Sequence, residues 1–178
     1  MIDKQQFNDT FQNFEVSGTI EILDMFFAES KEYLRLLEHN ISDNDLVGVK
    51  WNVHKLGSIC GQLGDPVALE HGRKMEEAAR EKVFTIIDIL LVESPGILEN
   101  LKQKLDGNEL YMAIYKAGSI NAFLSGYLGS FSAEKALKLQ DLEKRFTEDG
   151  IPQMFADLKT STLQLVDELI LLRKELAS

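Results

Sequence analysis

Cysteine occurs once in the 178 residues, as Cys60, so no intramolecular disulfide can form, which fits a reducing compartment. Proline occurs three times, which leaves room for long helices. Positive charge is scarce: 19 Lys and Arg against 29 Asp and Glu give a net charge of −10 and a pI of about 4.8. Without a basic patch to release counterions, nucleic acid and anionic membrane are not expected partners. Long apolar runs are missing too. The most apolar stretch, Val83 to Val92, is too short to span a bilayer and contains Asp88. The opening Met1-Ile2-Asp3-Lys4-Gln5-Gln6-Phe7 lacks a basic region followed by an apolar one, so no signal peptide is expected and the expected location is cytoplasmic. Gly-rich phosphate loops, nucleophile elbows and Cys/His arrangements do not occur, and no cofactor is implied. No segment alternates as a strand would. These absences leave an all-α fold.

Apolar residues make up 44% of the chain, ordinary for a globular protein and enough to bury a core in one large domain or two small ones. Residues 3–14 read as a short helix. After a break at Glu15-Val16-Ser17-Gly18, with Ser17 a plausible N-cap, a long helix carries Ile20, Leu23, Phe27, Leu34, Leu37 and Ile41 inward. Ser42-Asp43-Asn44-Asp45 is a turn of capping side chains, and Asp65-Pro66 opens a further helix with Leu69, Gly72, Met75, Ala79 and Val83 on its inner face. Ser94-Pro95-Gly96 is the candidate hinge, dividing the chain into 1–93 and 94–178. Beyond it, Ile97, Leu98, Leu101 and Leu105 lead to a turn at Asp106-Gly107-Asn108. Leu110, Ala113, Ala117, Ile120, Leu124 and Tyr127 form one seam, and Ser125–Ser132 reads as a loop. A helix to about Phe146 follows. The last helix steps through Leu158, Thr162, Leu165, Leu169, Leu172 and Leu176, with Leu163, Val166, Ile170 and Leu171 broadening its apolar face toward deep burial or a partner helix.

Between the two turns lies the stretch around which the chain is organised, Lys50 to Gly64. Leu46, Val49, Val53, Leu56, Cys60 and Leu63 make its buried seam. One position round run Val47, Lys50, Trp51, His54, Gly57, Ser58 and Gly61. A histidine at the flank of a core stripe is not sealed inside a bundle. Glycines cost a helix interior roughly 0.8–1 kcal/mol each relative to alanine, so Gly57 and Gly61 imply close approach by another body.

His54, Leu56, Gly61, Leu63 and Gly64 fall where the histidine phosphotransfer (HPt) family places its motif, and the run from Lys50 to Gly64 resembles that family over roughly residues 17–80. Gly57, Ser58 and Ile59 stand where the family has lysine, glycine and a small residue. The resemblance implies an HPt-like four-helix bundle carrying His54, with a second helical bundle after it. It implies a phosphocarrier of a two-component phosphorelay, without turnover of its own. His54 would accept a phosphoryl group and exchange it with the aspartate of a response-regulator receiver domain, the receiver supplying the metal ion. A hybrid sensor histidine kinase is the other partner implied. Lys50, Lys55 and Ser58 would stabilise the phosphoryl group in place of the missing lysine, with Arg73 or Lys74 as further candidates. Val47, Trp51, Gly57, Gly61 and Gly64 would dock the partner.

A neutral imidazole is a competent nucleophile near pH 7, since its unperturbed pKa is roughly 6.5. The alternative function is a non-catalytic HPt-like module that docks or sequesters a receiver or kinase. A small helical enzyme built on His54 lacks a recognisable second catalytic group. His39, near a helix end, suits the C-terminal dipole. His71 has Lys74 at i+3 and no Glu or His at i+3 or i+4, so a solvated charged face is expected there and no metal site. Trp51 is either half-buried packing or part of a docking surface. Leu56-Gly57-Ser58-Ile59 is echoed by Ala117-Gly118-Ser119-Ile120: either a duplicated bundle whose second copy has Tyr115 or Gly118 in place of the histidine, or a chance recurrence.

Overall fold

The computed structural model describes residues 2–92, 99–100, 107–128 and 132–177, and its regular elements there are all α-helices. They are α1 (Lys4–Phe11), α2 (Val16–Ser42), α3 (Leu46–Gln62), α4 (Pro66–Leu91), α5 (Gly107–Ala117), α6 (Ile120–Leu128), α7 (Ala133–Glu148) and α8 (Ile151–Leu176). The expected hinge at Ser94-Pro95-Gly96 and the apolar positions Ile97, Leu98, Leu101 and Leu105 lie outside the described residues.

Local chemistry sets the two turns that shape the centre. Asp45 accepts from the Gly48 amide at 2.9 Å and opens α3, while Asp65 accepts from Val67 and Ala68 at 2.9 and 3.0 Å and opens α4, with Pro66 in its first turn. Gly64 joins the two helices at φ +87°, a backbone state open to glycine at no steric cost. A Cβ there would also meet the Asp3 carbonyl oxygen at 2.8 Å, because α1 is laid across this end of the hairpin. Gln6 fastens it by donating to the Gly61 carbonyl at 2.7 Å.

Four helices form an up-down-up-down bundle: α3 packs on α2 and α4, and α8 closes the ring by packing on α4 and α2. The pairings fix its direction. Arg173 grips Asp24 through two hydrogen bonds of 2.6 and 2.7 Å and Lys159 meets Glu38, so α8 runs antiparallel to α2. His71–Ser161 and Lys82–Asp149 set the same sense against α4. The α3 seam is buried at all six expected positions, Leu158, Leu165 and Leu169 of α8 join the same core, and Thr162 is buried as well. One hydrophobic core therefore spans residues from both sides of the expected 93/94 division. Outside the ring, α7 lies on α4 and α8, and α5 lies on α3.

Several expectations change. The first helix is shorter than 3–14, starting after Asp3, which accepts from the Gln5 and Gln6 amides at 3.0 and 3.1 Å. Ser17 does not cap α2; Glu15 occupies the cap position with extended backbone and no side-chain bond. In the first half of α2 the buried stripe passes through Leu23, Phe26 and Ser30, so Phe27 is only partly covered. Gly107 and Asn108 begin α5 and are no turn, and the Ser125 end of the expected loop is helical through Leu128. The seam from Leu110 to Tyr127 is two helices, because Gly118 takes φ +83° and Ser119 caps α6 by accepting from the Ala122 amide at 3.0 Å. Gly118-Ser119-Ile120 is thus a helix break, whereas Gly57-Ser58-Ile59 lies within α3. The two echoes do not share a conformation.

Candidate functional site

α3 and α4 cross at two glycines. A Cβ added to Gly57 would stand 3.2 Å from the Gly72 Cα, and one added to Gly72 would stand 2.9 Å from the Gly57 Cα. Next to this crossing Gly61 packs under Leu69, whose side chain a Cβ would meet at 2.9 Å. The close approach implied by these glycines is therefore made by α4 of the same chain. Val47, Gly57, Gly61 and Gly64 are buried and Trp51 is half-buried, so the expected docking set is largely internal packing. The position where a lysine was anticipated is closed by backbone.

Because neither glycine carries a side chain, a shallow cleft of about 150 Å³ remains over the crossing. His54, Ser58, Arg73 and Glu76 stand around it. His54 has a side chain 53% exposed, and its Nδ1 lies 2.9 Å from Oε2 of Glu76. A carboxylate only accepts, so Nδ1–H is the donor and the lone pair of the neutral ring resides on Nε2. Among the described residues Nε2 makes no hydrogen bond. The Glu76 side chain is 24% exposed, and its other oxygen, Oε1, lies 3.3 Å from Lys50 Nζ.

The three expected stabilisers separate. Ser58 lines the cleft. Lys50 turns to Glu76 and lies over the rings of Tyr111 and Trp51, at 4.7 and 5.6 Å from their centroids. Lys55 leans the other way, over Trp51 and Tyr33 at 5.6 and 5.9 Å. Of the further cations named, Arg73 borders the cleft, while Lys74 pairs with Glu70 at 3.5 Å. Trp51 stacks on Tyr115 of α5 with centroids 4.3 Å apart and ring planes 24° apart, the half-buried packing role. Glu76, Tyr111 and Tyr115 were missed. A signal for Glu76 existed: in a hairpin folded at Gly64-Asp65, residues equally far from the turn meet, which pairs Gly61 with Leu69, Gly57 with Gly72 and His54 with Glu76.

The other titratable groups divide by burial. Cys60 is buried on the inner side of α3, where burial and the nearby charge of Asp65 push its thiol up to about 12, against a weak contact to Thr162 Oγ1 at 3.8 Å. His39 lies in the last turn of α2, where it meets the C-cap residue Asp43 at 3.3 Å. His71 is no solvated face residue: it is half-buried, and its Nδ1 lies 3.2 Å from Ser161 Oγ of α8. None of the described helices is long and apolar enough to cross a membrane.

Compared with known proteins, the chain matches no family model, no curated protein and no solved structure.

Proposed function

We propose that the chain is a histidine-containing phosphocarrier of the HPt kind, with His54 the acceptor and no turnover of its own. One observation carries this: an exposed imidazole at a cleft bordered by Arg73 and Ser58, whose Nδ1 is held by Glu76 and whose Nε2 makes no hydrogen bond among the described residues. Nε2 attacks the phosphorus of an aspartyl phosphate on a receiver domain. The N–P bond forms as the P–O bond to the aspartyl carboxylate breaks, and that carboxylate leaves with the electron pair. The ring becomes a phosphorylated imidazolium that keeps its Nδ1–H against Glu76, whose charge offsets the new positive one. Return of the phosphoryl group reverses each of these events. Arg73 supplies the positive charge that the family's lysine would bring, and Ser58 a hydroxyl donor. The flat crossing at Gly57 and Gly72 leaves room for the incoming carboxylate. Receiver domains and hybrid sensor kinases are the proposed partners and the cytoplasm the proposed location.

Incubation with phosphoramidate followed by intact mass at alkaline pH tests the acceptor. Wild type gains one phosphoryl group and His54→Gln gains none; equal uptake by both proteins would rule out His54. The second reading, a docking module without phosphotransfer, is favoured by the absence of a lysine at position 57. It requires that neither protein gains phosphate and that His54→Gln binds a receiver as wild type does.

A further inference from the structure

We infer that Lys50 is a positioning residue for His54, acting through Glu76, and that α5 holds it in place. This deepens the phosphocarrier reading and rests on it.

The contacts form a chain from α5 to the acceptor. Tyr111 donates its hydroxyl to the Val47 carbonyl at 2.9 Å, which pins α5 to the first turn of α3. Its ring then lies 4.7 Å from Lys50 Nζ, and Trp51, itself stacked on Tyr115, lies 5.6 Å away. Lys50 is one helical turn before His54, and both reach across to one carboxylate, Lys50 to Oε1 at 3.3 Å and His54 to Oε2 at 2.9 Å. The Lys50 side chain is only 15% exposed, so the aromatic faces replace much of the water that an ammonium would otherwise hold. An ammonium in this place does two things. It fixes the Glu76 rotamer, and it engages Oε1, so that Oε2 is left to hold the imidazole at Nδ1. A nucleophilic histidine needs that orientation, because it leaves the lone pair of the neutral ring on Nε2.

The charged and titratable groups around His54 come from every neighbouring element. α3 contributes Lys50 and Lys55, and α4 contributes Arg73 and Glu76. α5 places Tyr111 and Tyr115 beside Lys50 and Trp51, and Tyr33 of α2 lies under Lys55. Among the described residues only Lys50 and His54 form an ion pair or hydrogen bond with the Glu76 carboxylate.

The test reads the two His54 ring ¹⁵N resonances at one alkaline pH by NMR in the full chain, next to the rate of phosphoramidate uptake. In wild type the two nitrogens are well separated, Nδ1 carrying the proton and Nε2 bare. In Lys50→Met the Glu76 carboxylate loses its second partner and holds the ring less firmly, so the separation narrows and uptake slows by about threefold. Lys50→Arg restores both. Tyr111→Leu acts the same way but less, and Tyr111→Phe, which keeps the ring face, stays nearer wild type. A folded Lys50→Met whose ring nitrogens coincide with wild type would overturn the inference. If Lys50→Met does not fold, coincidence of Tyr111→Leu with wild type removes the role of α5. The resonances are read whether or not phosphate is taken up. A narrowed separation in a protein that never gains phosphate would therefore refute the carrier and leave the positioning role intact.

Discussion

The two sides of α3 carry two potential nucleophiles a few residues apart, and they meet opposite fates. On the outer side, His54 is exposed, oriented by Glu76 and open at Nε2. On the inner side, Cys60 is enclosed between α3 and Thr162 of α8, and burial leaves its thiol protonated. Chemical capability is not what separates them, since a thiolate is intrinsically the stronger nucleophile. Helix geometry is: a difference of six positions is enough to move a side chain from the flank of the stripe to its middle. The same geometry explains the glycines. At the border between the two sides, Gly57 and Gly72 let α4 come close enough for Glu76 to reach the imidazole.

Substitutions on the inner side should therefore act on stability, and those on the outer side on chemistry alone. The largest effect is expected from Cys60→Asp, which buries a carboxylate near the like charge of Asp65; urea unfolding should show a loss of about 3 kcal/mol or more. Gly72→Leu comes next. Its Cβ would press on the Gly57 backbone, so α3 and α4 must part at a cost of about 1–3 kcal/mol, with phosphoryl uptake falling as Glu76 recedes from His54. Gly57→Lys, which supplies the family's lysine, should destabilise for the same reason and not improve uptake.

A smaller effect is expected on α7. Glu143 of α7 is half-buried, and burial, with a further push from the Asp45 carboxylate, raises it from 4.5 to about 7. A carboxyl raised in the folded state binds a proton more tightly there than in the unfolded chain. Its stabilising contribution is therefore complete below pH 4.5 and is lost as pH rises through 7. Thermal melts across that interval should show Glu143→Gln gaining on wild type toward the alkaline end and matching it most closely at the acid end. The smallest change in stability should be that of His54→Gln, within about 0.5 kcal/mol of wild type in urea, because its ring is mostly in solvent. A large loss there would break the division between the two sides.

The legibility of the sequence followed the same line. The seam from Leu46 to Leu63 could be read at all its positions, because burial along one helix depends on a period that the sequence displays directly. Asp65 was readable as a cap, and the turn holding Asp45 as a capping turn, because a cap is a local interaction. His54 could be placed on an outer flank by the same period. Its partner could not: Glu76 stands on another helix, and only the hairpin pairing brings the two together. The glycines misled for a related reason, since a missing side chain announces close approach without saying by what. Lys50 was expected at the phosphoryl group; its pairing with Glu76 and its place over Tyr111 and Trp51 involve α4 and α5, which the α3 pattern does not display. Ser17 and the Gly118 break turned on backbone states that a periodic pattern does not record.

That Glu76 occupies Nδ1 and leaves Nε2 to react is tested by phosphorylating the protein with phosphoramidate and assigning the phosphorylated nitrogen from ³¹P–¹H couplings to the His54 ring at alkaline pH. Phosphate is expected on Nε2 in wild type and on a mixture of both nitrogens in Glu76→Leu. Phosphate on Nδ1 of the wild-type protein would contradict it.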